Sequence, residues 1–232
     1  MLKAILFDFD GVILDSEDYH FEAFRKVFEE EGGSLSRETY YQNCLGFNDV
    51  ECIRWGMKGT GKIDEAGGIE ALTDRKAVYF EELLEKEMRF FPGVREFIRD
   101  AGKKYPLAVT SMARRGEIEF ALGKADLSDL FHLIVSGEDV EKTKPDPEAY
   151  EKTLLLLNAH LSLTKTEREI LPEQCLVIED SSAGIQSAKA AGMNVLALAQ
   201  TEEPEHLQAT ADQVLLSLEG VSLEEVEALF HS

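Results

Sequence analysis

Cysteine is scarce in this chain of 232 residues: Cys44, Cys52 and Cys175 form an odd count with no close metal-type spacing. That argues against a disulfide framework and a cysteine-based zinc site, and fits a reduced, cytoplasmic setting. Basic residues are scarce as well, 24 against 45 acidic ones, for a formal net charge of -21. Such a negative surface repels polyanions, so neither nucleic acid nor an anionic membrane is expected as a partner. The acids are scattered rather than massed in a tail, as on a solvated acidic surface. No uninterrupted apolar stretch approaches the ~18 residues needed to span a bilayer. The N-terminus lacks a long apolar core followed by a small-residue cleavage site, so no secretory signal is expected. There is also no GxxxxGK[ST] segment, so phosphate binding of the P-loop kind is excluded.

What the chain does have begins at Lys3–Ser16, KAILFDFDGVILDS. A short apolar run ends in Asp8-Phe9-Asp10-Gly11, two carboxylates one residue apart. Such a run suits a buried strand of a parallel sheet, where ligands bind beyond the carboxyl ends of the strands. Strand side chains alternate, so Asp8 and Asp10 share a face if the strand continues straight, and Gly11 permits a sharp turn that crowds them further. Crowded carboxylates call for a divalent cation or a proton to offset their repulsion. Asp and Gly are also ordinary turn formers, so this segment alone is equally well read as a strand end and a solvated turn.

Further apolar runs suited to strands recur at Leu107–Thr110, Leu133–Ser136, Leu176–Ile178, Val195–Ala199 and Val214–Leu216. Helical patterns such as Pro92–Lys103 and Ala183–Ala191 lie between them, which predicts an α/β fold with a doubly wound parallel sheet. Between the first two strands, from about Glu17 to Phe90, the pattern is almost wholly helical. Tyr19, Phe21, Phe24, Val27 and Phe28 line one side of a helix, and Val78, Leu83 and Leu84 mark another. An insertion of about 75 residues without a strand is too long for a crossover and large enough for a smaller all-helical domain. The expected division is a core of residues 1–15 and 91–232 with a helical cap of residues 16–90. Because the insert leaves directly after Asp10, it is placed either to cover the acids as a lid or to stand as a decorative hairpin. A polar connector over residues 156–172 has no readable role.

Four strand ends carry polar residues suited to one site. The first offers Asp8 and Asp10, the second Thr110 and Ser111, and the fourth Glu179 and Asp180. Lys144 follows the third strand, in Thr143-Lys144-Pro145-Asp146-Pro147. Pro145 restricts Lys144 to extended geometry, and Pro147 suits a helix start. Ser181 or Ser182 is placed to cap the helix after the fourth strand. Each residue has a structural explanation of its own, but a lysine, hydroxyls and four acids gathered at strand ends of one sheet form a coherent chemistry. Carboxylates hold Mg²⁺ through oxygen, a lysine and a hydroxyl neutralise phosphoryl oxygens, and an Asp attacks phosphorus.

Asp8-Phe9-Asp10-Gly11-Val12, Thr110, Lys144-Pro145 and Glu179-Asp180 resemble the four motifs of the haloacid dehalogenase superfamily, and the helical insert resembles its C1-type cap. The stretch Glu179–Met193 is similar to the branch containing β-phosphoglucomutase and phosphoglycolate phosphatase. The resemblance implies that Asp8 is a nucleophile that becomes phosphorylated, and that Asp10 protonates the leaving oxygen and then activates water. It implies phosphate binding by Thr110, Ser111 and Lys144. It also implies Mg²⁺ held by Asp8, the Asp10 carbonyl and Asp180, with Glu179 acting directly or through water. The second acid, Asp10, weighs against true dehalogenation, because the dehalogenase branch lacks it.

Asp15–Phe21 is similar to the start of the β-phosphoglucomutase cap, where the matching His contacts the acid/base Asp; His20 and Lys76 are therefore candidate cap residues for substrate. The mutase carries an Arg three residues after the Gly matching Gly46, and here that position is Asp49. Its Lys-Asn pair after the second motif is replaced by Ala113-Arg114. The expected activity is a Mg²⁺-dependent phosphatase acting on a small phosphorylated metabolite such as a sugar phosphate, with a phosphosugar mutase as the alternative. A phospho-accepting signalling domain is the remote alternative: receiver domains are much shorter and have no helical insert after the first strand. Neither the substrate nor the oligomeric state is set by the sequence.

Overall fold

The computed structural model describes residues 1–44, 47–58, 60–163 and 169–230. Gly46, which aligns the cap with the mutase, and residues 164–168 of the polar connector lie outside them. The chain divides into two compact units, Met1–Asp15 with Phe90–Ser232, and Ser16–Arg89.

The first unit is built on a six-stranded sheet in the order β3-β2-β1-β4-β5-β6, with every neighbouring pair parallel. Its strands are β1 (Ala4–Phe7), β2 (Leu107–Thr110), β3 (Phe131–Val135), β4 (Cys175–Glu179), β5 (Asn194–Leu198) and β6 (Gln213–Leu215). Helices α6 (Val94–Ala101), α7 (Arg115–Lys124), α8 (Glu148–Leu163), α9 (Ser182–Ala190), α10 (Pro204–Leu207) and α11 (Leu223–Leu229) intervene. The doubly wound parallel sheet expected from the sequence is therefore present, with strand ends displaced by up to two residues.

The inner strands β1, β2, β4 and β5 are predominantly apolar because both faces are covered, whereas the edge strands β3 and β6 are only partly buried. On one face Ala4, Leu6, Ala108, Val177 and Val195 pack with Tyr150, Leu154 and Leu157 of α8 and Ile185 and Ala188 of α9. On the other, the Phe7 ring meets Phe97 of α6 at 6.3 Å and Phe131 at 5.9 Å, both edge to face. Each fully buried side chain of this size contributes roughly 1.5–3 kcal/mol relative to exposure. The order of strands reverses between β1 and β4, a switch point of the kind where open α/β sheets bind ligands.

In the second unit all the regular structure described is helical: α1 (Glu17–Glu30), α2 (Arg37–Asn43), α3 (Asp49–Gly56), α4 (Lys62–Glu65) and α5 (Gly68–Lys86). The aromatic stripe of α1 is buried, and Phe21, Phe24, Val27 and Phe28 join Tyr40, Cys52, Ile53 and Leu72 in one core. Local chemistry sets the helix starts. Ser36 accepts the Thr39 N–H ahead of α2, and Asn48 with Glu51 closes a capping box ahead of α3. Among the described residues no helix is long and apolar enough to cross a membrane.

Candidate active site

The first unit gathers its polar residues at the carboxyl ends of β1, β2 and β4. Beyond Phe7, Asp8 continues the ladder by donating its N–H to the Ile178 carbonyl at 2.9 Å. The chain then turns sharply: the N–H groups of Ile13 and Leu14 both return to the Phe9 carbonyl, and Gly11 adopts φ +77°. A Cβ on Gly11 would collide with the Asp180 carboxylate, so this position is confined to glycine by close approach as well as by backbone.

Lys144 is presented by the loop between β3 and α8. Glu148 accepts the N–H groups of Glu141 and Lys142 at 2.9 and 3.0 Å, and Ser187 of α9 donates to the Asp146 carbonyl at 2.6 Å. The Lys144 ammonium donates to Asp8 Oδ1 and Glu179 Oε1, each at 2.7 Å, and to the Thr110 carbonyl at 3.1 Å. It also lies 3.2 Å from the Tyr150 hydroxyl, which donates to Glu179 Oε1 at 2.9 Å. The other Glu179 oxygen accepts the N–H groups of Asp180 and Ser181 and the Ser181 hydroxyl. Ser181 in turn caps α9 by accepting the Gly184 N–H. Glu179 is thus saturated with donors.

Charge in this buried site does not balance. Asp8, Glu179 and Asp180 are all buried, and ligand oxygens from the three lie within 4.8 Å of one another. Burial pushes the Asp8 carboxyl up, Lys144 draws it down and Glu179 raises it again, leaving it at about 7. Burial, then the charges of Glu179 and Asp8, hold Asp180 well above the usual carboxylate range. Burial works on Glu179 in the same direction, but the charge and hydrogen bond of Lys144 and the two backbone N–H groups bring it below its ordinary value. Lys144 stays protonated: burial opposes its charge, but Asp8 and Glu179 outweigh that and hold its pKa well above normal. Three carboxylates facing one ammonium, all with hard oxygen donors, fit a divalent cation of the Mg²⁺ type.

The hydroxyls of Thr110, which ends β2, and of Ser111, which follows it, behave differently, as expected for adjacent residues in extended backbone. The Thr110 hydroxyl pairs with that of Thr153 on α8 at 2.8 Å. Thr153 gives its own hydrogen to the Ala149 carbonyl, so Thr110 is the donor to Thr153, and it is the Thr110 carbonyl that faces Lys144. Ser111, also buried, accepts the Ala113 N–H at 3.1 Å and keeps its hydrogen to give.

The structure therefore brings Asp8, Lys144, Glu179 and Asp180 together, with Thr110 and Ser111 at the adjoining strand end. Asp10 is half-buried in the turn after β1, in a bridge with Leu14. His20 and Lys76 belong to the helical unit. His20 is buried and stacks on Phe80 with ring centroids 4.3 Å apart. Lys76 is fully buried, ion-paired with Asp49 at 2.9 Å and set over the Phe80 and Phe24 rings. Sequence reasoning missed Tyr150, Thr153 and Thr201, whose hydroxyl donates to Asp180 Oδ2. The first two left a trace: positions 150, 153, 154 and 157 form a buried helical stripe in which a Tyr and a Thr replace aliphatic residues.

Comparison with known proteins agrees with this geometry. The sequence profile of the haloacid dehalogenase-like hydrolases matches residues 5–198. A phosphorylated carbohydrates phosphatase of Thermotoga maritima is 33% identical over 196 residues, covering 83% of this chain and 82% of that protein. The crystal structure of CbbY from Rhodobacter sphaeroides in complex with phosphate superposes with a TM-score of 0.79 at 25% identity, covering 98% of this chain and 100% of that one. A β-phosphoglucomutase from Clostridium difficile shares the fold, with a TM-score of 0.81 at 23% identity over 99% of this chain and 97% of its own. With its acids and lysine at the switch point of a matching sheet, the chain belongs to the haloacid dehalogenase-like hydrolases and is an enzyme of their phosphatase type.

Proposed function

We propose that this enzyme is a Mg²⁺-dependent phosphomonoesterase for a small phosphorylated metabolite of the sugar-phosphate class, working through an aspartyl-phosphate on Asp8. The observation that carries the reading is the buried contact of Asp8 with Lys144 beside Glu179 and Asp180. The name of the Thermotoga relative, a phosphatase of phosphorylated carbohydrates, supports the substrate class.

In this reading, an oxygen of Asp8 attacks phosphorus while the bond to the leaving oxygen breaks. Asp10, as general acid, gives that oxygen its proton. Asp10, now a carboxylate, takes a proton from water as the water attacks the phosphorus of the aspartyl-phosphate, releasing inorganic phosphate and restoring Asp8. Lys144 and the Ser111 hydroxyl donate to the phosphoryl oxygens, while Thr110 braces the strand end through Thr153 and its carbonyl. Asp8, Asp180 and the Asp10 carbonyl would hold the cation, and Glu179 orients Lys144 and the turn after β4 from behind. Bound there, Mg²⁺ supplies the positive charge that keeps Asp8 ionised and offsets the phosphate.

The helical unit is read as the cap that selects the rest of the substrate, with His20 and Lys76 as its candidate residues. Lys76 is already neutralised by Asp49, which favours a substrate with one phosphate over a mutase that must grip a second. Asp8→Asn should fold normally and lose turnover, and Mg²⁺-dependent activity retained by that variant would refute the nucleophile. Asp10→Asn should lose about 10²–10⁴-fold in turnover. Incubation with β-glucose 1-phosphate and a trace of its bisphosphate decides between the readings: glucose 6-phosphate forming faster than free phosphate would establish the mutase. A panel of phosphorylated metabolites would then identify the substrate.

A further inference from the structure

The loop after β5 carries two adjacent residues that both reach back to the end of β4. The Thr201 hydroxyl donates to Asp180 Oδ2. Glu202 accepts the Ser182 N–H at 2.8 Å and the Ser182 hydroxyl at 2.5 Å, at the first turn of α9. Gln200, just before them, folds its N–H onto the Leu198 carbonyl at 2.8 Å, so the loop turns as soon as the strand ends. On its far side the Asp180 carboxylate lies so close to Gly11 that a Cβ there would overlap it and stand 2.7 Å from Thr201 Oγ1. The carboxylate is therefore held from the β1 turn by contact and from the β5 loop by a directed hydrogen bond, with Glu202 anchoring that loop one residue away.

We infer that Thr201 is a positioning residue that fixes the Asp180 carboxylate for binding the divalent cation. The inference rests on the proposed reading of Asp180 as a cation ligand. An aspartate side chain has two rotatable bonds, and a ligand oxygen must be aimed to bind a small cation that demands near-octahedral geometry. A hydroxyl donating to one oxygen of Asp180 restrains the rotation of the carboxylate, which is how outer partners of ligating carboxylates act. Valine at position 201 would keep the shape of threonine but remove the donor, so Asp180 would be less restrained in the metal-free protein and would depend more on the cation itself to be ordered.

The test is calorimetric titration of Mn²⁺ and Mg²⁺ into the metal-free full chain, together with the Mg²⁺ dependence of phosphatase activity. Thr201→Val should weaken cation affinity about 10–100-fold and shift half-activation by Mg²⁺ equally, with turnover largely recovered at saturating Mg²⁺. Thr201→Ser, which restores the hydroxyl, should return both values to those of the wild type. If Thr201→Val does not fold, Thr201→Ala takes its place with the same expected shift. Unchanged affinity in the valine or alanine variant, or a serine variant as weak as the valine one, would overturn the inference. A loss of activity that saturating Mg²⁺ does not relieve would also overturn it. Asp180→Asn in parallel separates the two levels of the argument. Cation binding lost in Asp180→Asn but unaffected in Thr201→Val removes only the role of Thr201. Binding unaffected in Asp180→Asn removes the cation site and this inference with it.

Discussion

Lys144 stands 2.7 Å from Asp8, and both side chains are at least nine-tenths buried. The same ammonium serves Glu179 at the same distance, so one cation is shared between two desolvated carboxylates. Removing one member of such a buried group leaves uncompensated charge and costs about 3–5 kcal/mol. Lys144→Ala should therefore lose activity and also destabilise the metal-free protein. The loss should grow with pH. Glu179, depressed in the folded state, contributes stability that is present above the ordinary glutamate pKa and lost as pH falls through its folded value. Without Lys144 that contribution disappears, so urea midpoints of variant and wild type should converge in acid and separate near neutrality. A gap that is the same at both ends would mean that Lys144 does not pair with these acids in solution.

Asp8 gives a pH dependence of opposite sign. Its folded pKa, raised by burial from 3.8 to about 7, means that the metal-free folded state binds a proton the unfolded chain has already released. The stability linked to that proton is complete below the unfolded value and is lost as pH rises towards about 7. Asp180, raised by the same burial, acts in the same direction. A divalent cation requires both groups ionised, so the rise in Tm on adding Mg²⁺ should be small near pH 6 and larger near pH 8. Proton release on binding, measured by calorimetry in buffers of different ionisation enthalpy, should be greatest at the lower pH. Asp8→Asn should flatten this dependence. A Tm gain that does not vary with pH would count against Asp8 as part of the cation site.

Much of this was legible in the sequence because parallel strands covered on both faces are continuous apolar runs. Ala4–Phe7 and Leu107–Thr110 stand out for that reason, and the polar residues that follow such runs lie at strand ends. Direction was harder to read than position. Thr110 and Ser111 are neighbours, yet the Thr110 hydroxyl turns to Thr153, and only α8 packed on the sheet decides that. Thr201 acts through a loop orientation that no local pattern encodes, and the helical stripe that contains Tyr150 does not say which partner its hydroxyl meets. Asp49 is visible as an acid in the sequence, but its pairing with Lys76 depends on α3 meeting α5.

Tyr150 yields a prediction separable from its neighbour Thr153. Its fully buried hydroxyl donates to Glu179, and burial followed by the Glu179 charge holds the phenol well above its ordinary pKa, so it remains a neutral donor. Tyr150→Phe keeps the ring and removes both the hydrogen bond given to the Glu179 carboxylate and the one accepted from the Lys144 ammonium at 3.2 Å, each with a charged partner and each worth about 1.5–3 kcal/mol. Because Glu179 also fixes Lys144, turnover should fall as well. Thr153→Val removes two buried hydrogen bonds, one with the Thr110 hydroxyl and one to the Ala149 carbonyl, and touches none of the carboxylates. It should lower the urea midpoint while leaving Mg²⁺ activation unchanged. Equal effects of the two variants on Mg²⁺ activation would show that the Tyr150 hydroxyl has no special part in the site.

Gly184 sets two physical effects against each other, and their sizes decide the sign. It lies within α9, where glycine is less favourable than alanine by roughly 0.5–1 kcal/mol, so helix propensity alone predicts that Gly184→Ala stabilises the protein. Yet a Cβ at this position would overlap the Glu179 carboxylate, which is held from several sides by Lys144, Tyr150 and the Asp180 and Ser181 N–H groups. A side chain so fully bonded has nowhere to move, and forcing in an extra methyl costs typically 1–3 kcal/mol. The steric cost outweighs the propensity gain. Gly184→Ala should therefore melt at a lower temperature than wild type and need more Mg²⁺ for half-maximal activity. A more stable variant with full activity would show that α9 does not approach Glu179 as closely as described.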